Sequence, residues 1–262
     1  MLSTAIQLIY RLPYFPGQWR IAGALRKLLP KGIGLFRDAH GIRYYVHEAS
    51  HIGHSLASGH VLESDIDALV PSRSLGLVVD AGCNAGTFCL PLAKRARAIV
   101  AIDADADQIG LLRRSAAING FDNVHAVHAA VTSRAVETET FHIARSLKDL
   151  SSRDAAMLAG RDDYTTKTVP ALSLARIVRE HGPIDLLKID IEGFSGDAIV
   201  SLADAVSQVD TIVAEPSPDM APAVRFLEDA GFTVTQPLAK RADLPDHLRY
   251  TYVAVSNAGL PP

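Results

Sequence analysis

From about residue 75 the chain alternates short apolar runs with amphipathic stretches, the pattern of a parallel sheet covered by helices. Leu75 to Ala81 (LGLVVDA) reads as a buried strand, and a helix is expected after the turn Gly82 to Gly86, running through Arg97 with Pro91 as a misfit inside it. Ala98 to Asp103 (AIVAID) is the second strand. Asp105 can cap the next helix, whose apolar face is Ile109, Leu112 and Ala116 and whose end is marked by Asn119-Gly120. Val124 to Val131 is the third strand. Residues 132 to 168 break the rhythm: Glu137 to Ile143 could be a strand, Ser152 could cap a short helix through Leu158, and so long a connection suggests a lid or binding segment. The alternation then resumes. A helix at Ser173 to His181 stops at Gly182-Pro183, followed by a strand at Ile184 to Asp190, a helix at Gly196 to Ser207, a strand at Asp210 to Glu215 and a helix at Met220 to Ala230. Phe232 to Gln236 and Arg249 to Val255 have no helix between them and are expected to pair as an antiparallel hairpin.

Composition narrows the class. With 262 residues, 48% hydrophobic and 21% charged, the chain has room for one large domain plus an extension, and disordered, collagen-like and coiled-coil classes are excluded. The net charge of -3 offers no electrostatic reason for a nucleic-acid partner. Yet residues 1 to 37 hold six basic residues and no acid, leaving 20 basic against 29 acidic residues in the remainder. The expected division is therefore a basic N-terminal extension or cap at 1–54 and a domain at 55–262. A helix packed on the core with a solvated basic face is the expectation for the arm, with peripheral membrane contact and an acceptor-binding cap as alternatives. Leu2 to Tyr10 is too short for a signal-peptide core, and no segment approaches the roughly 20 apolar residues of a membrane span. Two cysteines, Cys83 and Cys89, fit neither a disulfide framework nor a metal pair, so a reducing, cytoplasmic location is expected.

Four strands end in an acid: Asp80, Asp103, Asp190 and Glu215. In an open α/β sheet, ligands bind outside these carboxyl ends. The first turn, Asp80-Ala81-Gly82-Cys83-Asn84-Ala85-Gly86, puts a carboxylate where a dinucleotide fingerprint has its first glycine, so an incoming pyrophosphate would meet negative charge. A cationic ligand is favoured instead. Asp103 stands where an acid accepts both ribose hydroxyls of an adenosine. Together these positions call for an adenosine that bears positive charge and no phosphate.

The run VVDAGCNAG, Asp103, the segment NGFDNVHAVHAAV and above all LLKIDIEG (Leu186 to Gly193) resemble the class I S-adenosylmethionine-dependent methyltransferases, the last motif that of the FkbM family. The resemblance covers roughly residues 55 to 255 and implies a Rossmann-like, doubly wound seven-stranded sheet with the last strand antiparallel. It implies S-adenosylmethionine as cofactor, with Asp80 and Gly82 at the methionine moiety, Asn84 and Gly86 lining the turn, Asp103 on the ribose and Ala130 on the adenine side. It places Asp190 by the methionine amine and the reacting centre. Gly59 and Glu63 match a glycine and a glutamate that often precede the first strand. Cys83 and Ala104 depart from the family pattern, where a small residue and a proline are commoner.

Family members are mainly O-methyltransferases of natural products and sugars, so the resemblance implies a hydroxyl on a sugar, glycolipid or other small-molecule or glycan acceptor. Amino-group methyltransferases often carry an Asn/Asp-Pro-Pro-aromatic run where this chain has Asp190-Ile191-Glu192-Gly193, which favours oxygen. Deprotonating an alcohol calls for a base or a metal. In a strand Lys188, Asp190 and Glu192 share one face, so Asp190, Glu192 and Glu215 could hold a divalent ion. Carboxylates simply paired with Lys188 are the alternative. His47, His51, His54 and His60 form the densest histidine cluster, Gly53 suggests a loop there, and His54 is a candidate acceptor-side base. A third option has Asp190 or Glu192 polarising the hydroxyl without a dedicated base. The rival functions are a catalytically silent cofactor-binding module and an NAD-dependent oxidoreductase, against which Asp80 weighs.

Overall fold

The computed structural model describes residues 32–48, 50–57, 66, 68–144, 151–159, 164–241, 244 and 249–256, with Ile9, Ile21 and Leu25 as isolated positions. An antiparallel hairpin, β1 (Ile33–Arg37) and β2 (Arg43–His47), leads into α1 (His51–Ala57). Then follow β3 (Leu75–Ala81), α2 (Cys89–Leu92), β4 (Ala96–Asp103), α3 (Ala106–Asn119), β5 (Val124–His128), β6 (Ala130–Val131), β7 (Thr138–Ala144) and β8 (Tyr164–Leu172). The chain continues with α4 (Leu174–His181), β9 (Ile184–Ile189), α5 (Ser195–Val200), β10 (Val209–Ala214), α6 (Met220–Asp229), β11 (Phe232–Thr235) and β12 (Tyr252–Ser256).

Seven strands form one sheet in the order β11-β12-β10-β9-β3-β4-β5. Neighbours from β10 to β5 are parallel, while β12 runs antiparallel to both β10 and β11. This is the expected α/β class, including the terminal hairpin. Alternation along each strand separates two cores. Leu77, Val79, Val100, Leu187 and Ile212 face one side, under Leu174, Ile199 and Leu227 of α4 to α6. Val78, Ile99, Leu186 and Val213 face the other, with Phe88, Leu112 and, from the first hairpin and α1, Tyr44, Val46 and Leu56. The expected boundary at 54/55 therefore falls inside α1, whose Ile52 and Leu56 share a core with β3. The rest of the basic arm, residues 1–31 apart from the three isolated positions, lies outside the described residues. No helix among the described residues is long and apolar enough to cross a membrane.

Several elements differ from the sequence reading, each for a physical reason. The helix expected through Arg97 is confined to Cys89–Leu92, and β4 starts at Ala96. Pro91 sits in the first turn of this helix, where its missing N–H costs nothing, so the helix starts just before the proline rather than running across it. The third strand splits. After His128 pairs with Asp103, the last residue of β4, the chain turns away, and Ala130 and Val131 pair with Ala171 and Leu172 in a separate sheet of β6, β8 and β7. Among the described residues of 132 to 168, 138–144 and 164–168 belong to an antiparallel β-hairpin, with β7 and β8 paired from Thr138↔Pro170 to Ala144↔Tyr164, while 145–150 and 160–163 lie outside the described residues. Asp154, not Ser152, caps the short 3-10 turn Ala155–Met157, and Ser152 bridges to His142. The helix expected over Gly196 to Ser207 breaks after Val200.

Candidate active site

Strand register assembles the site. Asp80 of β3 lies opposite Ala101 of β4 and Lys188 of β9, and Lys188 lies opposite Val213 of β10. Two residues further along each strand stand Gly82, Asp103, Asp190 and Glu215, with the ladder continued by Gly82 N–H to the Ile102 carbonyl, Asp190 N–H to Ala81 and Glu215 N–H to Ile189. His128 closes the row beside Asp103. The result is one row at the carboxyl ends of the strands: Asp103, Gly82, Asp190, Glu215. Only Gly82 lacks a side chain, a gap in the row of carboxylates that the Asp190 backbone fills.

The turn after β3 makes that gap obligatory. Gly82 has φ 82°, and a Cβ there would lie 1.8 Å from the Asp190 carbonyl oxygen. Asn84 has a left-handed φ of 47°, and its N–H donates to Asp103 Oδ2 at 2.9 Å. The Asp105 N–H donates to Asp103 Oδ1 at 2.8 Å, and Asp105 in turn caps α3 by accepting from the Asp107 N–H. Each oxygen of half-buried Asp103 thus holds one backbone donor and keeps a lone pair for another. Burial raises its pKa to about 6, more than the two N–H donors lower it, with the charges of Asp105 and Asp190 adding to the rise.

Lys188 is buried between Asp190 of the row and Asp80, its own partner across the sheet. Its Nζ lies 3.1 Å from Asp190 Oδ2, 3.9 Å from Asp80 Oδ1 and 5.7 Å from the centre of the Phe88 ring. Glu215 lies beyond Asp190 in the row, its N–H bonded to the Ile189 carbonyl. Burial first, then the Asp190 charge, hold Glu215 well above the usual carboxylate range, against the opposing charge of Lys188. Glu192 does not share the strand face expected for it, because β9 ends at Ile189 and the chain turns through Gly193 at φ 83°. Its carbonyl accepts from Ser152 Oγ at 3.1 Å, tying this loop to the segment between β7 and β8. Among the described residues no group of three His, Cys, Asp or Glu side chains is arranged to hold a metal ion.

Ala130 is buried in a small cluster with Ala104 and Val169, and Phe141 of β7 packs on it. His128 Nε2 lies 3.0 Å from the Ala104 carbonyl oxygen. His54 is in a helix rather than a loop: α1 accepts Gly53 because the chain crosses itself there, a Cβ meeting the His47 carbonyl oxygen at 2.4 Å. The side chain of His54, and all of Gly59, His60 and Glu63, lie outside the described residues. Sequence reading missed Phe141 and Arg153, brought in by β7 and the segment that follows it, and Phe194, the residue before α5 on which Arg153 stacks. It also missed Asp219, whose carboxylate accepts from the Gly196 and Asp197 N–H groups at 3.0 and 2.8 Å and so caps α5 from another element.

Residues 80–234, more than half of the chain, match the family described as the methyltransferase FkbM domain. This chain belongs to the FkbM methyltransferase family. A curated relative, the 23S rRNA (uracil(1939)-C(5))-methyltransferase RlmD of Marinomonas sp. (strain MWYL1), is 36% identical over 76 residues, 29% of this chain and 17% of the relative. The chain thus aligns with under a fifth of that relative's length. Among solved structures, methyltransferase FkbM from Methylobacillus flagellatus KT matches with TM-score 0.47 and 11% identity, over 97% of this chain and 58% of that one. A Pyrococcus abyssi tRNA (uracil-54, C5)-methyltransferase in complex with S-adenosyl-L-homocysteine matches with TM-score 0.46 and 15% identity, over 87% of this chain and 44% of that one. The motif resemblance carried by VVDAGCNAG and LLKIDIEG therefore names the right family for this FkbM methyltransferase.

Proposed function

We propose that this FkbM methyltransferase transfers a methyl group from S-adenosylmethionine to a hydroxyl of a sugar, glycolipid or other small-molecule acceptor. The observation that carries the cofactor part is the row Asp103, Gly82, Asp190, Glu215 at the carboxyl ends of the strands. When bound, the cofactor supplies an electrophilic methyl on a sulfonium. The chain's own contribution is to bind, orient and handle a proton. Asp103 is poised for two ribose hydroxyls, since each oxygen keeps a lone pair. Gly82 lets the chain at Asp190 pack onto the turn after β3, and the acids around it suit a cation rather than a phosphate. Ala104, Ala130 and Phe141 offer an apolar wall on the Asp103 side.

On the other side of Gly82, Asp190 accepts from Lys188 and stands next to Glu215, whose pKa burial and the Asp190 charge raise. A hydroxyl placed against Asp190 or Glu192 can pass its proton to a carboxylate as the methyl arrives. Oxygen is favoured over a uracil carbon by the thiols. Methylation at a uracil C5 calls for a nucleophile that adds to the ring, and the chain's two cysteines are both buried, with the Cys83 thiol pushed up by burial and by Asp103 and Asp80.

Calorimetric titration with S-adenosylmethionine, S-adenosylhomocysteine and NAD tests the cofactor. Binding of the first two is expected, and binding of NAD alone would overturn the reading. Transfer of labelled methyl to a panel of hydroxylated sugars and glycolipids, with RNA as the competing substrate, tests the acceptor. Label in RNA alone would refute the hydroxyl assignment, and cofactor binding without any transfer would favour a silent module.

A further inference from the structure

The loop after β9, Asp190 to Phe194, carries both candidate acceptor-side carboxylates, yet the strand that delivers it has ended. Asp190 is still tied to β3 through its N–H, and the rest of the loop is held from the segment between β7 and β8. Arg153 of that segment lies with its guanidinium 4.0 Å from the centre of the Phe194 ring. The same guanidinium donates to Asp197 Oδ2 at 2.7 Å and to Thr132 Oγ1 at 2.8 Å, and lies 3.7 Å from Glu139 Oε1. Its side chain is 10% exposed, against 63% for Arg134, the other cation on Glu139. One residue earlier, Ser152 bridges to His142 of β7 and donates from Oγ to the Glu192 carbonyl. Asp197 is held below its ordinary pKa, because the Ser133 hydroxyl and the Arg153 charge outweigh the upward pull of burial.

A planar guanidinium that stacks on a ring while bonding a carboxylate and a hydroxyl fixes three elements at once, which an ammonium cannot do. We infer that Arg153 is a positioning residue: it clamps the Phe194 end of the Asp190–Phe194 loop to the β7–β8 insert and so helps to hold the acceptor-side carboxylates, of which the first, Asp190, is also held by the backbone of β3. The clamp itself follows from these contacts. Its catalytic consequence rests on the methyl-transfer reading above.

The test compares Arg153→Ala, Arg153→Lys and, as control, Arg134→Ala in the full chain. Amide hydrogen exchange is followed at 190–196 and at 82–88, S-adenosylmethionine affinity by calorimetry, and methyl transfer with whichever hydroxylated acceptor the panel selects. In Arg153→Ala, exchange at 190–196 is expected to rise at least tenfold while 82–88 is unchanged. Cofactor affinity should stay within about threefold, and kcat should fall at least tenfold with the KM for S-adenosylmethionine preserved. Arg153→Lys should recover thermal stability by keeping a charge on Asp197, but recover neither loop protection nor kcat. Arg134→Ala should leave all of these close to the parent. Equal loosening of both segments with a matching loss of cofactor affinity would reduce Arg153 to a general structural contact, and unchanged exchange at 190–196 would overturn the clamp. A parent protein that binds no S-adenosylmethionine would instead break the cofactor reading while the exchange comparison still judged the clamp.

Discussion

The two halves of the site are built in different ways. Around Gly82 and Asp103 the geometry is made by backbone: left-handed residues, N–H groups donated to Asp103, and strand ladders that continue one step beyond β3 and β4. Beyond Asp190, around Glu192 and Phe194, it is made by side chains reaching across the sequence, 40 residues from Ser152 to Glu192 and 44 from Arg153 to Asp197. Backbone construction resists everything except a change of residue class at a special conformation. Side-chain construction concentrates its risk in single partners and can fail on one side while the other stays intact.

The sharpest way to break the comparison is Gly82→Ala. The new Cβ meets backbone, not a flexible side chain, at a positive φ, so a loss on the order of 3 kcal/mol is expected together with loss of cofactor binding, measured by denaturant unfolding and titration. Next is Asp103→Ala, expected to weaken S-adenosylmethionine binding about 10- to 100-fold by removing two charge-assisted acceptors.

The raised pKa of Asp103 supplies a pH test whose sign is fixed. Free protein carries a protonated Asp103 below about 6, whereas ribose hydroxyls bond best to the carboxylate, so affinity should climb as pH rises through 6 and level off above it. Affinity at pH 5 should be about tenfold below that at pH 7, and Asp103→Asn should be weak and flat with pH. The same raised pKa means that ionisation of Asp103 destabilises the empty fold as pH rises from about 4 to 6. Asp103→Asn should abolish this pH dependence of stability, while its NH2 faces one of the two backbone N–H donors and leaves that donor unpaired.

On the side-chain half, Asp197→Ala should cost about 1–3 kcal/mol by leaving Arg153 underpaired near Phe194, with cofactor affinity held. Coupled loss of affinity would erase the distinction between the halves. The smallest effect belongs to Arg73→Ala, at the far end of the sheet. Arg73 is half exposed and pairs with Asp185 and Asp210, and about 0.5 kcal/mol or less is expected in thermal unfolding.

How much of this was legible follows the same division. LGLVVDA, the Asp105 cap and the Asn119-Gly120 stop read correctly because each is decided within a few residues, by alternation or by a side chain bonding its own backbone. The strand-end acids were visible as a set, yet their order across the row came from the register. Arg153 carried no local signal. It sits in a polar stretch whose partners, Thr132, Glu139, Phe194 and Asp197, are spread over three other elements. Asp219 was hidden for the same reason, as a cap contributed from another helix boundary.

Local alternation, capping and motif spacing therefore carried the α/β class, the order of most elements, the family and the carboxylates at the strand ends, because hydrophobic period and backbone preference act between near neighbours. Folding in three dimensions settled what those rules do not reach. It built a hairpin into the supposed loop 132–168, diverted Ala130 from the main sheet, placed Lys188 between Asp80 and Asp190, and set Arg153 on Phe194. Each of these depends on long-range pairing and burial, whose energy is shared among residues far apart in the chain and is written in no single stretch of it.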